Sequence, residues 1–165
     1  SFVYRDGVYH GLDEIIGTFF GSPAINDSWQ LAAIDPGEKA AIVYILPDSD
    51  LRAAGSDGPL GVSSSAVPPL KVSLSGWTFT GRRADWWLFA QTPGGFLSFD
   101  AVARRWVPGT VPAARARLRD IMNIGVPPAG TSPGAYTYYF GVDLKSDGIF
   151  DPQFFVFDRI DIFVR

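Results

Sequence analysis

The chain has 165 residues, enough for a domain with a genuine core, and its 47% hydrophobic and 15% aromatic content excludes a disordered polymer. A net charge of −3 leaves no basic footprint for nucleic acid, and the apolar runs are too short and too interrupted to span a bilayer. With no cysteine, disulfides, thiolate metal sites, a cysteine nucleophile and covalently attached haem are all ruled out.

Glutamate occurs only at Glu14 and Glu38 and lysine only at Lys39, Lys71 and Lys145, so Asp and Arg carry the charge. That choice removes good helix formers and leaves turn and cap residues. At the start, Phe2–Tyr4 and Val8–His10 flank Asp6-Gly7 and predict a small hairpin. Leu12, Ile15, Ile16, Phe19 and Phe20 then recur at the spacing of an amphipathic helix. Asp13 and Glu14 suit its N-terminal end, and Gly21 and Pro23 stop it. Trp29–Ile34 and Ala40–Leu46 read as strands around the tight turn Asp35-Pro36-Gly37. Residues 1–46 are too few to be stable alone, so they are expected to dock on the rest of the chain or on a partner.

Residues 47–69 read as a long Ser-, Gly- and Pro-rich loop ending at Pro68-Pro69. From Leu70 the pattern is β: Val72–Leu74, Gly76–Thr80, Ala84–Gln91 and Phe96–Phe99 are short elements, with Thr92-Pro-Gly-Gly95 as a connection. Pro112–Asn123 combines helical spacing at Leu118, Ile121 and Met122 with alternation at Arg115, Arg117 and Arg119, and its β surroundings favour extended structure. The C-terminal thirty residues form two strands. Tyr136, Tyr138, Phe140 and Val142 share one face of the first, and Ile160, Ile162 and Val164 share one face of the second. Asp147-Gly148 turns the chain between them. The expected fold is mainly β, an antiparallel β-sandwich over residues 70–165 with one short N-terminal helix.

The strings Ala84-Asp-Trp-Trp87, Thr92-Pro-Gly-Gly-Phe96, Trp106-Val-Pro-Gly109 and Gly134-Ala-Tyr-Thr-Tyr-Tyr-Phe-Gly-Val-Asp143, followed by Asp147-Gly148, carry a resemblance. From about Gly76 to its end the chain resembles an accessory β-module that recurs at the C-termini of exported and cell-surface bacterial proteins. The resemblance implies a place outside the cytoplasm, at the cell surface, in the extracellular space or in the periplasm, and a non-catalytic role. It implies nothing about residues 1–69.

Two groups of side chains invite a functional reading. Asp143, Asp147 and Asp151 stand at positions one, five and nine of an EF-hand-like loop, with Gly148 at six and the Ile149 carbonyl at seven. Lys145 at position three and Phe154 at twelve break the pattern, leaving about four oxygens for a cation that wants six or more. Plain turn chemistry therefore outweighs calcium, and no cofactor is expected. The second group is Trp77, Trp86, Trp87 and Trp106. Adjacent Trp86 and Trp87 on a strand point to opposite faces, so one fills the core. The other is either covered in its turn or exposed, where it would stack on a sugar or anchor a partner.

Catalysis has little support. His10 is the lone histidine, no serine-nucleophile elbow is present, and no pair of carboxylates is distinguished by its setting. The leading expectation is a non-catalytic extracellular structural or interaction module, a subunit of a surface assembly that binds a protein or itself. Phe2 and Tyr4 would add a strand to a neighbour, and Ile15, Ile16, Phe19 and Phe20 would supply an apolar patch. The alternatives are a carbohydrate-binding module using an exposed tryptophan and a hydrolase using Asp carboxylates.

Overall fold

The computed structural model describes residues 46–152 and 155–165 throughout and, within residues 1–45, the backbone of five strands. These five are β1 (Phe2–Arg5), β2 (Val8–Gly11), β3 (Phe20–Ile25), β4 (Gln30–Ile34) and β5 (Ala41–Ile45). β1 and β2 pair antiparallel, and β3, β4 and β5 form an antiparallel meander. The expected turns at Asp6-Gly7 and Asp35-Pro36-Gly37 lie outside the described residues. The expected helix of Leu12–Phe20 falls at residues 12–19 outside the described residues, Ile15, Ile16 and Phe19 among them, while Phe20 opens β3.

Ten more strands follow: β6 (Asp48–Ala53), β7 (Leu60–Val62), β8 (Leu70–Ser75), β9 (Arg83–Thr92), β10 (Gly95–Asp100), β11 (Arg105–Pro108), β12 (Ala114–Arg117), β13 (Ile121–Val126), β14 (Gly134–Asp143) and β15 (Phe155–Val164). A small sheet runs β13-β8-β6, and a larger one runs β11-β10-β9-β14-β15-β7, with β12 also paired to β9. These ladders are antiparallel except β15–β7, which is parallel. The chain is mainly β, and among the described residues the only helical element is a 3-10 turn at Trp77–Phe79.

Two expectations are corrected here. Residues 47–69 carry β6 and β7 rather than one long loop. β6 exists because β8 lies beside it, pairing Leu51 with Val72 and Ala53 with Leu70, so a partner far along the chain supplies what its own polar sequence does not advertise. Gly76–Thr80 is the 3-10 turn and not a strand. It carries the chain from the small sheet to the large one, with Trp77 at φ +44° and the Gly76 N–H donating to Asp120 at 2.8 Å. Pro112–Asn123 is extended on both sides of Leu118, as the alternating arginines predict.

The two sheets share one core in a sandwich-like arrangement. Leu51, Leu70, Val72 and Leu74 of the small sheet meet Trp86, Leu88, Tyr138, Phe140, Ile160 and Ile162 of the large one. Each fully buried side chain of this size contributes roughly 1.5–3 kcal/mol relative to exposure. Two polar contacts tie elements together beside the core. The Asp158 carboxylate accepts from the Leu51 N–H at 2.8 Å, linking β15 to β6, and the Tyr138 hydroxyl accepts from the Ala129 N–H at 3.1 Å. Burial pushes the Tyr138 hydroxyl up to about 12, so it stays protonated at neutral pH.

Candidate functional site

A strand buried on both faces needs a second layer over it. Along β9, Ala84, Trp86, Leu88 and Ala90 point into the shared core, while Asp85, Trp87 and Phe89 point to the outer face, and all seven are buried. Register sets their outer-face neighbours: Asp143 lies opposite Asp85, Gly141 opposite Trp87 and Tyr139 opposite Phe89. On the far side of β14, Phe155 lies opposite Asp143 and Phe157 opposite Gly141. The outer face therefore has an acidic end and an aromatic end.

At the acidic end, two fully buried carboxylates organise the loop between β14 and β15. Asp85 accepts from the Gly148 N–H, from the Ser146 hydroxyl at 3.2 Å and from the Arg115 guanidinium at 3.1 Å. Asp143 accepts the Lys145 N–H at 2.8 Å on one oxygen and the Asp151 N–H at 3.0 Å on the other. Asp147 caps its own turn by accepting the Ile149 N–H at 2.9 Å, and Gly148 follows at φ +83°, where glycine is favoured. Lys145 reaches Asp147 at 3.6 Å and Asp151 at 3.9 Å. The three candidate calcium ligands thus face backbone N–H groups and a lysine. Among the described residues no three His, Cys, Asp or Glu side chains converge as a metal site would require.

Removing Asp143 from water outweighs its two backbone hydrogen bonds and raises its carboxyl from 3.8 to about 6. The folded state then holds a proton between about pH 4 and pH 6 that the unfolded chain releases, so stability falls as pH rises through that window. A raised value of this size corresponds to about 3 kcal/mol, fully present below about pH 4 and lost above about pH 6. Urea denaturation of the natural chain and of Asp143→Asn across pH 4–7 should show the difference between the two falling by on the order of 3 kcal/mol. Parallel curves would show that Asp143 does not titrate there.

At the aromatic end, Phe150 folds back from the loop onto Trp87, Phe89 and Phe155, with ring centroids 5.3, 5.3 and 5.1 Å away. Phe89 stacks on Tyr139 at 4.8 Å and Phe155 on Phe157 at 4.9 Å. Beside these rings lies a pocket of about 250 Å³ lined by Phe89, Phe96, Tyr139, Phe150, Phe155 and Phe157, with Pro152 at its border. Phe96 is 50% exposed at its rim, while Tyr139 and Phe157 are half-buried. Among the described residues none that lines it carries a charge.

Of the two alternatives for the second tryptophan, the covered one holds. Neither Trp86 nor Trp87 is exposed: Trp86 fills the shared core and Trp87 lies under Phe150 on the outer face. Trp106 is half-buried, donates its Nε1–H to the Pro127 carbonyl at 2.9 Å and packs edge-on against Phe99 and Tyr138. The solvent-facing tryptophan among the described residues is Trp77, at 53% exposure. Phe2 and Tyr4 lie in β1, opposite Gly11 and Tyr9. Asp85, Phe89, Tyr139, Phe150 and Phe157 were missed by the sequence reading. The signal was there in the unbroken run Trp86-Trp-Leu-Phe-Ala90, which marks a strand covered on both faces.

The chain matches no protein family, no curated protein and no solved structure.

Proposed function

We propose that the chain is a non-catalytic interaction module, an antiparallel β-sandwich acting outside the cytoplasm in a surface assembly, which binds a protein partner through the aromatic pocket of its larger sheet. The observation that carries this reading is the pocket itself, six aromatic rings around about 250 Å³ with no charged group among the described residues. Rings already fixed by stacking lose little freedom on binding, and aromatic side chains are enriched where proteins meet. The resemblance of residues 76–165 to an accessory module of exported bacterial proteins supports the location. Asp85 and Asp143 spend their oxygens on backbone N–H groups and neighbouring side chains, which lends hydrolysis no support.

Carbohydrate binding is the second reading, moved from the tryptophans to the accessible rings of Phe96, Tyr139 and Phe157. One pair of measurements separates the two. A photo-crosslinking phenylalanine analogue at position 96, introduced in the producing cell, should capture a discrete protein, and Phe157→Ala should abolish the capture. Binding on a glycan array that disappears with Phe157→Ala would favour the sugar. If neither signal depends on Phe157, both readings fail.

A further inference from the structure

We propose that the cleft between β12 and β13 is a binding site for a small amphipathic anion, an aliphatic chain of roughly ten carbons ending in a carboxylate. β12 pairs with β9 in the large sheet and β13 pairs with β8 in the small one, although only residues 118–120 separate them in sequence. At the crossing, Leu118 bonds through its backbone to Gly81 and Arg82, just ahead of β9. A cavity of about 280 Å³ opens there, with Trp86, Leu88, Phe99 and Phe140 among the core residues that line it.

Protein interiors are packed to crystal density, so an apolar opening of this size is not an ordinary void. Small residues keep it open: Ala113, Ala114 and Ala116 stand along one wall where larger side chains would fill it. Its other wall is β13, whose register slips between Ile121 and Ile124 and whose Asn123 takes φ +51°. That bulge leaves Ile124 half-exposed at the mouth. A cavity of about 150 Å³ holds benzene, and by that scale one of about 280 Å³ holds a body of roughly ten to twelve carbons.

Two polar features say that the occupant is not a plain hydrocarbon. Among the described residues Arg119 is the one charged residue lining the cavity, it is exposed, and it makes no ion pair there. A guanidinium there suits a carboxylate head with two parallel hydrogen bonds. The Trp86 indole N–H, on a cavity-lining ring, is buried without an acceptor among the described residues. Buried N–H groups are almost always paired, so its orphaned state favours a ligand that brings oxygen with it.

The test is a titration of the full chain with sodium decanoate below its micelle concentration, followed by the indole N–H resonance of Trp86, assigned by its loss in Trp86→Phe. Saturable movement of that resonance is expected, with decanol binding at least 10-fold more weakly. Arg119→Glu should weaken decanoate at least 10-fold and leave decanol unchanged. Ala114→Leu, which fills the cavity, should remove both, and Ala116→Leu at the exposed end of the wall repeats the test should the first variant not fold. The proposal is overturned if the resonance does not move, if its movement survives both leucine variants, or if decylammonium binds as well as decanoate.

Discussion

Gly141→Ala should destabilise the chain by about 3 kcal/mol or more, the upper range for overpacking and a large fraction of the stability of an ordinary domain. Gly141 sits in β14 between Trp87 on β9 and Phe157 on β15. A methyl group there would run into the Val156 carbonyl and come within 2.7 Å of the Phe157 Cα, both backbone atoms that cannot rotate away. The ladder of Gly134–Asp143 against Phe155–Val164, the longest among the described residues, would have to part near its loop end. Gly61→Ala is the control: β7 offers nothing within 4 Å of an added methyl, so a neutral effect or a small gain is expected there. Equal urea midpoints for the two variants would refute the clash.

Asp85→Ala should cost about 3 kcal/mol, because the carboxylate is fully buried and three donors lose their acceptor together. Hydrogen bonds to a buried charge are worth about 1.5–3 kcal/mol each, and solvent access at the half-exposed Arg115 brings the sum down. The effect should spread beyond the residue removed. Once the Gly148 and Ser146 donors are released, the loop that places Phe150 over Trp87 loses its anchor, and the near-ultraviolet circular dichroism of those rings should collapse with it. Asp147→Ala, by contrast, removes one local turn bond at the surface and should cost less than about 1 kcal/mol. If Asp147→Ala proved the more damaging, the loop would be held from within rather than from β9.

The two variants mark where local sequence stops being informative. Asp143, Asp147 and Asp151 drew notice because their spacing imitates a cation loop, yet the residue that holds this loop most firmly is Asp85, some sixty positions earlier. Nothing in Ala84-Asp-Trp-Trp87 announces that its carboxylate will meet Gly148. Antiparallel pairing of β9 with β14 brings Asp85 opposite Asp143, and that pairing is a long-range event. The tryptophans show the same division. Strand periodicity places Trp86 and Trp87 on opposite faces, but whether the outer one meets solvent depends on Phe150 folding back from a distant loop.

By itself, then, the sequence determined what depends on neighbours along the chain. Alternation at Tyr136–Val142 and Ile160–Val164 specified the C-terminal hairpin and its core face, and the Asp-Gly and Pro-Gly pairs placed the turns, because side-chain period and turn conformation are local steric properties. Tertiary structure alone decided that residues 48–53 become a strand, that β7 joins β15 in parallel, that both tryptophans are covered, and that an aromatic pocket and an apolar cleft open on two different sides of the large sheet. Each of these follows from pairing and burial between segments far apart in the chain, where the free energy lies in the contact and not in either segment's own pattern.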